Sequence, residues 1–248
     1  MNDATYQNPS LIETVCELRF APPMKWNMSS FIKFASLAEK EGFPNVVDAG
    51  ESFQFNFALG PGKTQPPKVK PVPGRIQTWN QEKTELWQAG PDLFAANRRS
   101  PYKGWETFRP HILKGFEIYS KTAKPKKASI MVLTYINRIE VDLSKNRPSE
   151  FVRFLPDEVD YADQLTNFGR HTEQVFNDGD KIAVIAGKNI QSDESENAVI
   201  LNISYTAPTP KLEIGAFKKT IEKAHNRIIV AFEKSITDLQ RERMEPYD

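Results

Sequence analysis

Cysteine is almost missing from this chain of 248 residues: Cys16 stands alone. An intramolecular disulfide is therefore excluded, and a reducing compartment is expected. Histidine is scarce as well. His111, His171 and His225 have no pairwise spacing that sets two on one helix face, and one cysteine cannot complete a structural zinc site, so neither a metal nor another cofactor is expected. Long apolar runs are lacking: no stretch approaches the roughly 20 residues a spanning helix requires. Residues Met1 to Tyr6 carry neither a basic nor an apolar leader region. Together these absences predict a cytoplasmic protein with no membrane partner.

A strong net charge is also lacking. The formal value of +1 argues against a surface built wholly for nucleic acid or anionic membrane. The charge is nevertheless uneven. Residues 1–127 hold 18 basic and 12 acidic side chains, residues 128–248 hold 15 and 20, and the stretch 60–127 alone is +9. What remains suffices for a core, with 39% hydrophobic residues and 16 Phe. The length suits one large domain or two closely packed halves.

The first strand is predicted over Thr14–Phe20, where Cys16, Leu18 and Phe20 alternate with Val15, Glu17 and Arg19; Cys16 is read as buried. A helix begins near Ser29-Ser30 and stops at Gly42 and Pro44. Ser52–Leu59 alternates as a core strand, and Gly60–Gly74 reads as an exposed loop. Within it, Gly60-Pro61-Gly62-Lys63-Thr64 ends like a phosphate-binding loop, but the first glycine of that pattern would fall at Phe57. Gln65-Pro66-Pro67 moreover cannot open the helix that such a loop requires. Short strands follow at Arg75–Asn80, Glu85–Gly90 and Leu93–Arg98, then an amphipathic helix over Trp105–Lys121.

Lys124-Pro125-Lys126-Lys127 is read as a hinge between residues 1–124 and 125–248. Beyond it come a strand over Ser129–Leu143, a hairpin over Gln174–Lys188 turning at Asp178-Gly179, and a strand over Ala198–Thr206. One long helix from Glu213 to Met244 ends the chain, with Phe217, Ile221, Ala224, Ile228, Phe232, Ile236 and Leu239 on one face. Strands followed by a helix predict an α+β fold of two similar halves, each an antiparallel sheet closed by a long C-terminal amphipathic helix, together forming one unit.

No catalytic constellation stands out. The basic segment Lys63, Lys68, Lys70, Arg75, Arg98, Arg99 and Lys103, interleaved with Trp79, Trp87, Tyr102 and Trp105, has the composition that single-stranded nucleic acid favours. The alternative is a solvated loop beside core aromatics. His225 is expected as a packed, hydrogen-bonded histidine on the last helix.

Three segments carry a resemblance. Asn8-Pro9-Ser10-Leu11-Ile12-Glu13, leading to Leu18-Arg19-Phe20, Tyr102-Lys103-Gly104-Trp105-Glu106-Thr107-Phe108, and Tyr135-Ile136-Asn137-Arg138-Ile139 resemble the marks of a sporadically distributed family of uncharacterised bacterial proteins. Ser10 stands in place of a second Pro, and Cys16 in place of an aromatic. The resemblance implies a bacterial or mobile-element origin and a defence-like or toxin–antitoxin setting, with no activity attached. Physically, Glu13, Arg19, Glu106 and Arg138 are charged groups among apolar neighbours and are expected to pair with one another. Alternatively, Asn137 and Arg138 line a cleft between halves and hold an anion.

Three functions follow as expectations: a non-enzymatic binding or accessory protein that recognises a protein or nucleic-acid partner, a nucleic-acid-binding module using residues 63–103, or a small-molecule binder or enzyme with its pocket between sheet and long helix. The oligomeric state is left open.

Overall fold

The computed structural model describes residues 6–48, 74–142, 145–155, 168–188 and 198–247. Alternation in Leu11–Arg19 (β1) places Thr14, Cys16 and Leu18 on one face, all fully buried. The same parity runs through β3 (Ile76–Trp79), β4 (Glu85–Ala89), β5 (Leu93–Arg99), β6 (Ile130–Glu140), β8 (Lys181–Lys188) and β9 (Ala198–Pro208). The register joins Thr78, Trp87, Ala96, Cys16, Leu133, Tyr205 and Ile182 in one row across all seven strands. With β2 (Asn45–Asp48) and β7 (Gly169–Val175) at the edges, the described residues form a single antiparallel sheet in the order β2-β3-β4-β5-β1-β6-β9-β8-β7. The α+β class is as expected, and among the described residues the strands on both sides of residue 124 join in one nine-stranded sheet.

The helices α1 (Met28–Lys40), α2 (Trp105–Ala123) and α3 (Ile214–Ser235) pack over the buried face of that row. Asn27 starts α1 by accepting the Ser30 amide at 3.1 Å, while Ser30 Oγ reaches back to the Asn27 amide. In α2 the indole of Trp87 slots beneath the helix and donates to the His111 carbonyl at 3.1 Å. Phe116 of α2 meets Phe217 of α3 at 4.9 Å, which joins the two helices into one layer.

The expected final helix is corrected. It breaks at Ile236, whose backbone is extended at ψ 156, and Thr237 caps a separate α4 (Asp238–Arg243). Leu239 thus turns outward instead of continuing the apolar face. The edge strand β2 was not anticipated, and the hairpin of β7 and β8 starts at Gly169 rather than Gln174. The strand expected at 52–59 and the loop around 60–73 lie outside the described residues. No helix among the described residues is long and apolar enough to cross a membrane.

Candidate functional site

Helix α3 lies across the sheet with a hollow on each flank. On one side a narrow cavity of about 60 Å³ is enclosed by Pro9, Ser10 and Leu11 at the start of β1, Tyr102 before α2, Tyr135 and Asn137 of β6, and His225, Ile229, Phe232 and Glu233 of α3. The three segments that carry the family resemblance, far apart in sequence, meet here. Their polar groups are already engaged. Tyr135 Oη is 2.8 Å from His225 Nδ1 and 3.4 Å from Tyr102 Oη, while Asn137 accepts from Ser10 Oγ and donates to the Leu201 carbonyl, each at 3.2 Å.

His225 also stacks on Trp105 with ring centroids 4.4 Å apart. The Trp105 indole donates to Glu222 at 2.9 Å, and Arg109 donates to the same carboxylate at 2.6 Å. Burial works to raise the Glu222 carboxyl, but the hydrogen bonds from Trp105 and Arg109 outweigh it, so the group titrates below its usual range. At the mouth, Tyr6 donates to Glu233 at 2.8 Å, and burial followed by that carboxylate pushes its phenol up. His225 is the packed, hydrogen-bonded histidine that its place in the apolar stripe predicted.

On the other flank, α3 and the helix-side faces of β7 and β8 enclose a groove of about 480 Å³. Its apolar walls include Phe154, Phe176, Ile182, Val184 and Val230, and its polar lining is Thr172, Gln174, Asn226, Arg227, Lys234 and Ser235. Among the described residues no carboxylate contributes to the lining. The side chains of Thr172, Gln174, Asn226 and Lys234 make no hydrogen bond or ion pair among the described residues.

One end of the groove is clamped. Arg227 packs over the Phe176 ring at 3.8 Å, donates to Asp178 at 2.9 Å and reaches Tyr205 Oη at 3.0 Å. Lys223 pairs with Asp180 at 2.5 Å, and Tyr205 donates to the same carboxylate. The hydrogen bond from Arg227 leads in holding the Asp178 carboxyl far below its usual range, whereas burial, then Asp180, pushes the Tyr205 phenol up to about 12.

The basic segment is dispersed. Arg98, expected at a nucleic-acid surface, is instead 5% exposed, paired with Glu85 at 2.5 Å and bonded to Thr107 beneath α2. It faces the helices because it shares the parity of Phe94 and Ala96. Arg75 grips Asp92 through both Nε and Nη2, at 3.3 and 2.7 Å. Trp87 and Trp105 are buried and cannot stack on bases. Arg99, lying over the Trp79 ring at 4.7 Å, and Lys103 are at the surface, while Lys63, Lys68 and Lys70 lie outside the described residues.

The expected mutual network of Glu13, Arg19, Glu106 and Arg138 is replaced by local partners. Glu13 accepts from Asn97 at 2.9 Å, Arg19 pairs with Glu17, Glu106 with Arg109 at 2.5 Å, and Arg138 with Glu140 at 3.2 Å. Asn137 and Arg138 cannot line one cleft, since successive strand residues point to opposite faces; Asn137 alone reaches the cavity. Cys16 is fully buried, and burial pushes its thiol up, away from nucleophilic use. A pocket between sheet and long helix was among the expectations, but none of the residues that line this groove was singled out, because its walls come from segments as far apart as Phe154 and Ser235 and no local pattern brings them together.

Compared with protein-family models, curated proteins and solved structures, the chain matches none.

Proposed function

We propose that this is a binding protein for a small anionic amphiphile, held in the groove between α3 and the β7–β8 hairpin. The observation that carries the reading is the groove itself. Its volume of about 480 Å³ falls in the range of roughly 300–1,000 Å³ typical of small-molecule sites. Among the described residues its walls are apolar, its charged lining is cationic, and four of its polar side chains make no hydrogen bond or ion pair. An apolar body against Phe154, Ile182 and Val230 with a carboxylate or sulfonate near Lys234 would satisfy both parts.

The test is fluorescence titration with 8-anilinonaphthalene-1-sulfonate and its displacement by decanoate. Val230→Trp should block the groove and abolish the signal, and Lys234→Ala should weaken binding about ten-fold. Undiminished binding by folded Val230→Trp would remove the reading.

We infer a second, wider role: a cytoplasmic accessory protein of bacterial or mobile-element origin, working with a protein partner in a defence-like or toxin–antitoxin setting. Supporting it is the meeting of residues 9–11, Tyr102 and 135–137, the segments of the family resemblance, at one cavity. The two-halves reading draws support from strand order: β1 and β6 each open a half at the sheet centre, and each is flanked by the last strand of its own half, β5 or β9. Affinity capture with and without nuclease tests the role. A stoichiometric protein surviving nuclease supports it, and nucleic acid alone would return attention to Arg99 and Lys103.

A further inference from the structure

Strand β7 ends the sheet order, and among the described residues nothing pairs with its outer side. The ladder fixes which groups are idle. Phe176 donates to the Asp180 carbonyl at one end of the hairpin, and Lys188 donates to the Phe168 carbonyl at the other. The even-numbered residues between them therefore bond to β8, and Gly169, His171, Glu173 and Val175 aim their N–H and C=O groups outward. No proline interrupts this edge, which is seven residues long against four in β2. Val175 and Ile185 beside it are exposed apolar side chains. A long regular edge of this kind is a template for another strand.

We propose that the occupant is a second copy of the same strand, paired antiparallel about Thr172 to give a two-fold dimer with one continuous sheet. The argument is self-complementarity of the sequence Gly169-Arg170-His171-Thr172-Glu173-Gln174-Val175. With Thr172 opposite its own copy, His171 lies opposite the partner copy's glutamate at position 173, twice over by symmetry. Arg170 meets the equivalent of Gln174, and the threonines form a favourable cross-strand pair. Every outward backbone group at positions 169, 171, 173 and 175 finds a partner. Both copies keep their helices on the same side, so the two grooves open toward each other across the junction. The proposal does not rest on the ligand reading.

Sedimentation velocity across a concentration series, with circular dichroism to verify folding, tests it. The wild type should dimerise. His171→Glu sets glutamates opposite each other and should weaken association about ten-fold. Adding Glu173→Lys to it should restore the dimer, a rescue that general damage to the fold would not produce. Glu173→Pro removes an outward donor that β8 does not use and should give monomers. A wild type that stays monomeric, or a dimer indifferent to both His171→Glu and Glu173→Pro, would overturn the proposal.

Discussion

Gly115 of α2 lies so close against the Trp87 indole that a Cβ at position 115 would fall 2.3 Å from Nε1. The ring has no room to retreat, because it stacks on Phe43 at 3.9 Å and on His111 at 5.1 Å. Gly115→Ala should therefore lower stability by about 3 kcal/mol, although alanine is the better helix former by about 1 kcal/mol. Gly215→Ala in the first turn of α3, where nothing lies within 4 Å, should be neutral or slightly stabilising. Urea unfolding of the two variants makes the comparison, and similar effects would contradict the close approach.

Arg98 is expected to matter for stability and not for nucleic acid. Its guanidinium is buried, and Arg98→Ala would strand Glu85 beside His111, at a cost of about 3 kcal/mol. Arg99→Ala, on the exposed side of the same strand, should stay within about 0.5 kcal/mol. Equal and small changes in thermal midpoint would refute the buried pairing.

His111 should give the fold an acid-sensitive slope. Burial, followed by the charge of Arg98, pushes its pKa down to about 3. Glu85 lies 3.7 Å from Nδ1 but is committed to Arg98, so it does not reverse the direction. The unfolded chain takes up this proton near pH 6.5, and the folded chain refuses it until pH is close to 3. The contribution is complete above pH 6.5 and is lost as pH falls toward 3, by up to about 1.4 kcal/mol per pH unit. His111→Gln should flatten the urea midpoint across this window; an unchanged slope would assign the sensitivity elsewhere.

The Arg227 clamp should control the β7–β8 hairpin. Arg227→Ala removes the cation over Phe176 and the bonds to Asp178 and Tyr205 together. Hydrogen exchange over residues 169–188 should accelerate more than over β1 and β6. Arg227→Lys should not rescue it, because an ammonium cannot supply the planar fork. The stability that the clamp contributes should be complete above the usual carboxylate range and be lost only as pH falls well below it, since the depressed Asp178 carboxyl stays ionised there in the folded protein. Uniform exchange across the sheet in Arg227→Ala would count against a local clamp.

Much of the fold was legible where one face of an element is buried. The alternation of Met131, Leu133, Tyr135, Asn137, Ile139 and Val141 marked the covered face of β6, and all six are buried. The break at Thr237 was overlooked because Ile236 and Leu239 prolong the helical period, while the capping pattern Thr237-Asp238 lies inside that run. Strand β2 is too short to show alternation. Arg98 could have been placed from the hairpin alone: a reversal at Gly90-Pro91-Asp92 sets it opposite Glu85. The site was less legible. Tyr102, Tyr135 and His225 come together only through the strand order, which no local pattern encodes.

That order has a consequence for the nascent chain. Strand β1 is made first, yet its two neighbours are β5 and β6, so one flank stays open until residue 99 has been made and the other until residue 140. During ribosomal synthesis this strand at the middle of the sheet must wait, with one edge unpaired, until more than half of the polypeptide has been made. Closing such distant pairings is slow and leaves a sticky edge exposed. A chaperone that shields residues 11–19 would have its greatest effect before β6 leaves the exit tunnel.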